Sequence, residues 1–89
     1  MRIDKFLKLS RIIKRRTEAK NACENQCVKI NGRTAKAGDS VKVFDKIEVR
    51  FKNRILEIEV KEVPAGNIPA SFASSLYHMI KEEKISVEE

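Results

Sequence analysis

The sequence predicts an α+β fold: two short helices packed on a small, mostly antiparallel sheet, followed by a C-terminal helix. Three observations carry this. Apolar side chains recur at helical spacing through residues 3–13 and again through 19–23. Val28-Lys29-Ile30 alternates and runs into Asn31-Gly32, the strongest short hairpin signal in the chain. Between Val41 and Val60 the apolar positions follow a period of two.

In the first helix Asp4 is expected at the N-cap. At about 100° per residue, Ile3, Phe6, Leu7, Ser10 and Ile13 gather on one side and Lys5, Lys8 and Arg11 on the other. Asp4 to Lys8 is the only acid-before-base pair that could balance this cationic face. The second helix is expected to begin at Thr17, with Glu18 favouring the positive end of its dipole. Ala19, Ala22 and Cys23 form a narrow stripe that permits close helix packing, and the helix is expected to end near Asn25-Gln26. Arg33–Lys36 returns from the hairpin, and Ala37-Gly38-Asp39-Ser40 forms a second turn. From Val41 the period is two, through Val41 and Val43 and then Ile47, Val49 and Phe51; in the next strand Leu56, Ile58 and Val60 share one face and are the expected inward set. Pro64–Pro69 is a loop by composition. Phe72, Ala73, Leu76, Tyr77 and Ile80 line one side of the expected last helix, and an acidic tail from Lys81 is expected to fray.

Eighty-nine residues form one small domain, in which only roughly 60% of the unfolded surface is buried. Residues 1–36 hold eleven Lys or Arg against three acids, and residues 37–89 hold eight against ten. The positive charge therefore belongs to the first part of the chain, as expected of a polyanion footprint. No apolar run approaches the ~20 residues of a membrane span, no secretory signal opens the chain, and the expected location is the cytoplasm. Cys23 and Cys27 lack further nearby metal ligands, so they are expected to be small packing residues, with neither metal nor cofactor. Ser71, Ser74, Ser75 and His78 do not suggest an organised pocket, and there is no glycine-rich phosphate loop, so no catalysis is expected. A helix reading duplex DNA is disfavoured by the lack of a strong base-reading Asn or Gln cluster.

The densest charge lies in Arg11-Ile12-Ile13-Lys14-Arg15-Arg16-Thr17, between the two helices. Side-chain cations and helix-end amides there would meet the same anion. Arg2-Ile3-Asp4-Lys5-Phe6-Leu7, Ile12–Ala19, Val28–Gly32, and Val41 with Asp45 together resemble the RNA-binding domain typified by small-subunit ribosomal protein S-four, the alpha-L RNA-binding motif. The resemblance covers about residues 2–51. It implies an S-four-type domain with an added strand pair over residues 1–63, leaving a loop, the last helix and the acidic tail at 64–89. A free-standing chain of this length that opens Met-Arg-Ile-Asp-Lys-Phe-Leu-Lys and carries Ile-Lys-Arg-Arg-Thr resembles the RqcP family of ribosome-associated quality-control factors, formerly grouped with heat-shock protein fifteen. That family binds large ribosomal subunits obstructed by peptidyl-tRNA, contacts rRNA and tRNA, and supports C-terminal alanine tailing by RqcH. A monomer of this kind is expected here; a large-subunit recycling factor like heat-shock protein fifteen is the alternative. Carried over by position, the RNA-binding residues are Arg2, Lys5, Arg11, Lys14, Arg15 and Arg16, with Lys20 and Lys29 weaker and Lys8 added from the helix face. Alanine in place of Arg2 or Arg16 is expected to weaken ribosome association with the fold intact. The family's glycine and basic residue before the hairpin are Gln26 and Cys27 here, and its Pro-Gly is Val43-Phe44. At Gln26 either strain is carried or the turn differs.

Overall fold

A computed structural model describes residues 1–85. Helices α1 (Ile3–Leu9) and α2 (Arg16–Glu24) precede strands β1 (Val28–Ile30), β2 (Arg33–Thr34), β3 (Lys46–Arg50) and β4 (Arg54–Val60). A 3₁₀ helix (Ala70–Leu76) then leads into β5 (Tyr77–Lys84). The strands form one antiparallel sheet in the order β2-β1-β3-β4-β5. The α+β class and the hairpin are as the sequence predicts.

The alternation in the strands sets the core. Ile30, Ile47 and Ile58 form one cross-strand row, and Val28, Val49 and Leu56 form the next. All six are buried, which is the packing unit that stabilises a sheet. Ile3, Phe6 and Leu7 of α1 join this core at 0% exposure, as does Ala19 of α2. The N-terminus is stitched to the segment before β3: the Ile3 N–H donates to the Asp39 carbonyl at 2.7 Å and the Val41 N–H to the Met1 carbonyl at 2.9 Å.

Asn31 and Asp45 clip the hairpin to the start of β3. The Asn31 amide donates to Asp45 Oδ1 at 3.0 Å, and its oxygen accepts the Lys46 N–H at 2.9 Å. Asp45 Oδ2 also accepts the Lys42 N–H at 2.8 Å. With Asn31 at φ 52° and Gly32 at φ 84°, the hairpin turn has the left-handed residues that a two-residue connection requires.

Four expectations are corrected. Asp4 is the second residue of α1 rather than its cap; Arg2 holds the cap position in extended conformation, fixed by its bridge to Ser40. The second helix starts at Arg16, one residue before Thr17. Val41 and Val43 do not form a strand, because Lys42–Asp45 closes into a turn with the Asp45 N–H on the Lys42 carbonyl at 3.1 Å.

The fourth concerns the last helix, which is a 3₁₀ helix and stops at Leu76. The Leu76 carbonyl accepts the N–H groups of Lys61 (2.8 Å) and Glu62 (3.2 Å), so it is committed away from a continuing helix. Tyr77–Lys84 instead pairs along β4, placing Tyr77 opposite Val60 and Met79 opposite Ile58. Helical periodicity and a strand's pattern overlap in such a short apolar stretch; pairing for the open edge of β4 decides between them. Ser74, Ser75 and His78 therefore do not share a helix, and Ser75 Oγ donates to the Phe72 carbonyl at 2.6 Å. Lys81–Lys84, expected to fray as the start of the acidic tail, are paired with β4 instead; the rest of that tail, beyond Ile85, lies outside the described residues.

Two departures from the family pattern resolve as strain. Gln26 sits at φ 62° and Phe44 at φ 75°. The Cys27 N–H reaches the Ala22 carbonyl and the Gln26 N–H the Cys23 carbonyl, at 2.9 and 3.0 Å, which is a Schellman ending closed by glutamine. The turn is retained and the residue adapts. Replacing Gln26 or Phe44 with Gly should raise stability by up to about 1 kcal/mol each, since the left-handed cost exceeds glycine's added chain entropy. Leu76→Ala should cost about 2–5 kcal/mol, as for other fully buried leucines, whereas Ile80→Ala, 42% exposed, should cost under about 1 kcal/mol. Urea denaturation measures all four.

Candidate nucleic-acid interface

The connector between the helices is a strap laid back along α1. Arg11, at φ 61°, reverses the chain after Ser10. The Ile13 N–H then donates to the Leu7 carbonyl at 3.1 Å, and by Arg16 the chain is again beside Asp4, near the start of α1. Ile13 points into the core at 7% exposure, which pins the strap and leaves Arg11, Lys14, Arg15 and Arg16 exposed. The seven residues of α1 rise about 10 Å, so the cations spread along one edge of the molecule.

They form two groups. At the end of α1, Lys8, Arg11 and Lys14 line a small cleft of about 110 Å³ whose other walls are Leu9, Ile68 and Ala70. At the start of both helices, Arg2, Arg16, Thr17 and Lys20 surround an open hollow of about 380 Å³ with Asp4 at its base. The first amides of α2 have no intrahelical acceptor and no side-chain cap there. Ile68 and Ala70 had no signal in the sequence as site residues: they lie more than fifty positions from the strap, at the end of the Pro-Gly loop and the start of the 3₁₀ helix.

Asp4 organises the second group. Its side chain is 2% exposed. Oδ1 accepts the Lys5 N–H at 2.8 Å, while Oδ2 receives Arg2 Nη2 at 3.2 Å and faces Arg16 Nε at 3.6 Å. Arg2 and Arg16 are each about half exposed. Each is therefore both an ion-pair partner of Asp4 and accessible to a ligand.

The remaining candidates divide. Lys5 is half-buried on α1. Arg15 lies 3.9 Å from Glu18, and Lys20 lies 4.0 Å from Glu24, both on exposed surface, where such pairs contribute little. Lys29 is not brought to the site. Val28 and Ile30 beside it face the core, so Lys29 projects from the other face of the sheet and pairs with Glu48 at 3.9 Å. Arg54 is likewise matched by Glu82 at 2.9 Å. Among the described residues, none of Lys5, Lys8, Arg11 and Lys14 forms an ion pair. Cys23 packs in the core at 3% exposure, and burial first, then the Asp4 charge, pushes its thiol up to about 11, so it stays neutral at physiological pH.

Comparison with known proteins matches residues 1–47 to the S4 domain family. The chain is 46% identical over 89 residues to the RQC P-site tRNA stabilizing factor of Halalkalibacterium halodurans, covering all of both chains. It is 42% identical over 85 residues to the protein of that name from Bacillus subtilis, covering 96% of this chain and 98% of that one. Among solved structures, a trimeric structure of Vibrio cholerae Heat Shock Protein 15 is similar with a TM-score of 0.79 and 30% identity, over 89% of this chain and 80% of the other. The solution structure of the hypothetical protein HP1423 matches with a TM-score of 0.73 and 35% identity, over 99% of this chain and 100% of that one.

The double duty of Arg16 is measurable without RNA. Arg16→Ala should lower stability by about 1–2 kcal/mol, below the cost of breaking a fully buried pair because Arg2 remains and Arg16 is half in solvent. Lys14→Ala should stay within about 0.5 kcal/mol. Equal denaturation midpoints for the two variants would show that Asp4 does not need Arg16.

Proposed function

Because the chain belongs to the S4 domain family, and within it to the RQC P-site tRNA stabilizing factors, we propose that it binds large ribosomal subunits obstructed by peptidyl-tRNA. It grips rRNA and tRNA backbone there and steadies the tRNA in the P site. The observation that supports this most directly is the exposed strap. Lys8, Arg11 and Lys14 stand along one edge without protein counter-ions among the described residues, whereas Lys29 and Arg54 elsewhere are matched by acids. Arginine forks suit phosphate because they donate two parallel charge-assisted bonds. Folded RNA is recognised largely through shape and backbone, so a rigid rim of cations is an appropriate reader with little sequence preference.

On this reading the protein acts by binding rather than by catalysis, as a single copy in the cytoplasm. By steadying the tRNA it supports C-terminal alanine tailing of the stalled chain by RqcH. The likeness to Heat Shock Protein 15 favours a second reading, a factor that binds large subunits for recycling without tailing.

A tagged chain should capture large subunits together with peptidyl-tRNA from cells. Capture of free tRNA or mRNA alone would reject the proposal, and large subunits whose nascent chains lack alanine tails would favour the recycling reading. A footprint of about four to six phosphates predicts a log–log salt slope of roughly −3 to −5. Reversing the strap charge with Lys14→Glu and Arg15→Glu, neither of which touches Asp4, should abolish co-sedimentation while leaving the melting temperature nearly unchanged.

A further inference from the structure

We propose that Asp4 is a positioning residue, a buried carboxylate that holds Arg2 and Arg16 side by side so that the two guanidinium groups receive one RNA phosphate together. This rests on the RNA-binding reading above. A carboxylate under an RNA-facing surface is at first sight a fault, since its charge repels the ligand. The geometry gives it a use.

The two arginines come from different elements, Arg2 from the cap of α1 and Arg16 from the first residue of α2. Both meet the same oxygen, Oδ2, at 3.2 and 3.6 Å. Oδ1 is held by the Lys5 backbone N–H at 2.8 Å, so the carboxylate is not free to rotate and Oδ2 has a fixed direction. Each guanidinium carries five N–H donors in a planar fork. Arg2 reaches Asp4 through Nη2 and Arg16 through Nε, and half of each side chain stays in solvent with donors to spare.

Two guanidinium groups this close repel one another, and each free side chain has rotamer entropy to lose on binding. Asp4 offsets the repulsion and removes much of that entropy cost before RNA arrives, which is how preorganisation raises affinity. Thr17 and Lys20 line the same hollow. A phosphate seated there meets a charge-assisted fork that is already assembled.

Asp4→Asn separates this role from simple electrostatics by sign, because it adds one positive charge to the RNA-facing side. Binding of the full-length chain to purified large subunits carrying peptidyl-tRNA is measured by anisotropy across a salt series, with folding checked by circular dichroism. A positioning role predicts roughly tenfold weaker binding and a salt slope shallower by about one phosphate contact, despite the gained charge. Equal or tighter binding by folded Asp4→Asn overturns the inference and leaves the RNA reading standing. If the wild-type chain itself fails to bind, both fall.

Arg16→Lys provides the second arm, needed if Asp4→Asn does not fold. It keeps the charge but loses the fork, so binding several-fold weaker than wild type at unchanged net charge supports the positioning role. Wild-type affinity in Arg16→Lys overturns it.

Discussion

The burial of α1 against the sheet is the constraint on which the rest of the molecule depends. Ile3, Phe6 and Leu7 are wholly enclosed, and in so small a domain there is no second core to compensate for losing them. Three groups of polar contacts keep the helix seated. The main chain of residues 1–3 is tied to residues 39–41, the strap is pinned by Ile13 on the Leu7 carbonyl, and Asp4 is held between two arginines. The same contacts that seat the helix therefore shape the cationic rim, and the candidate interface and the core share residues.

Charge is partitioned by the sheet. Lys29 and Glu48 balance one another on the face away from the helices, and Arg54 and Glu82 balance one another between β4 and β5. Along the strap the cations outnumber their partners. The asymmetry visible in the composition of residues 1–36 thus becomes a one-sided field, which steers a polyanion toward one edge and gives it an orientation.

Much of this was legible in the sequence because short-range physics controls it. The Asn31-Gly32 turn needs left-handed backbone, and the pleat needs period-two burial through β3 and β4. The strap could be recognised from its charge and from the helices on either side. What could not be read depends on partners distant along the chain. Asp4 resembles a cap until Arg16 is seen to fold back on it. Lys29 carries the right charge but lies one strand position out of phase with the site. Residues 77–84 carry both a helical stripe and a strand pattern, and only the open edge of β4 selects the strand. The wall formed by Ile68 and Ala70 exists because the returning loop passes the end of α1, which no local motif announces.

β5 has a further consequence. Without it, β4 would present seven residues of open backbone, alternating with Leu56, Ile58 and Val60, to any passing chain. With it, the outermost strand ends in Lys81-Glu82-Glu83-Lys84, and its pairing slips out of register beside Glu57 and Ile58. Charge and irregularity on an edge strand discourage another strand from adding to it. The opposite edge, β2, is only two residues long. Among the described residues, both edges of the sheet therefore present few places for an unfolded chain to continue it.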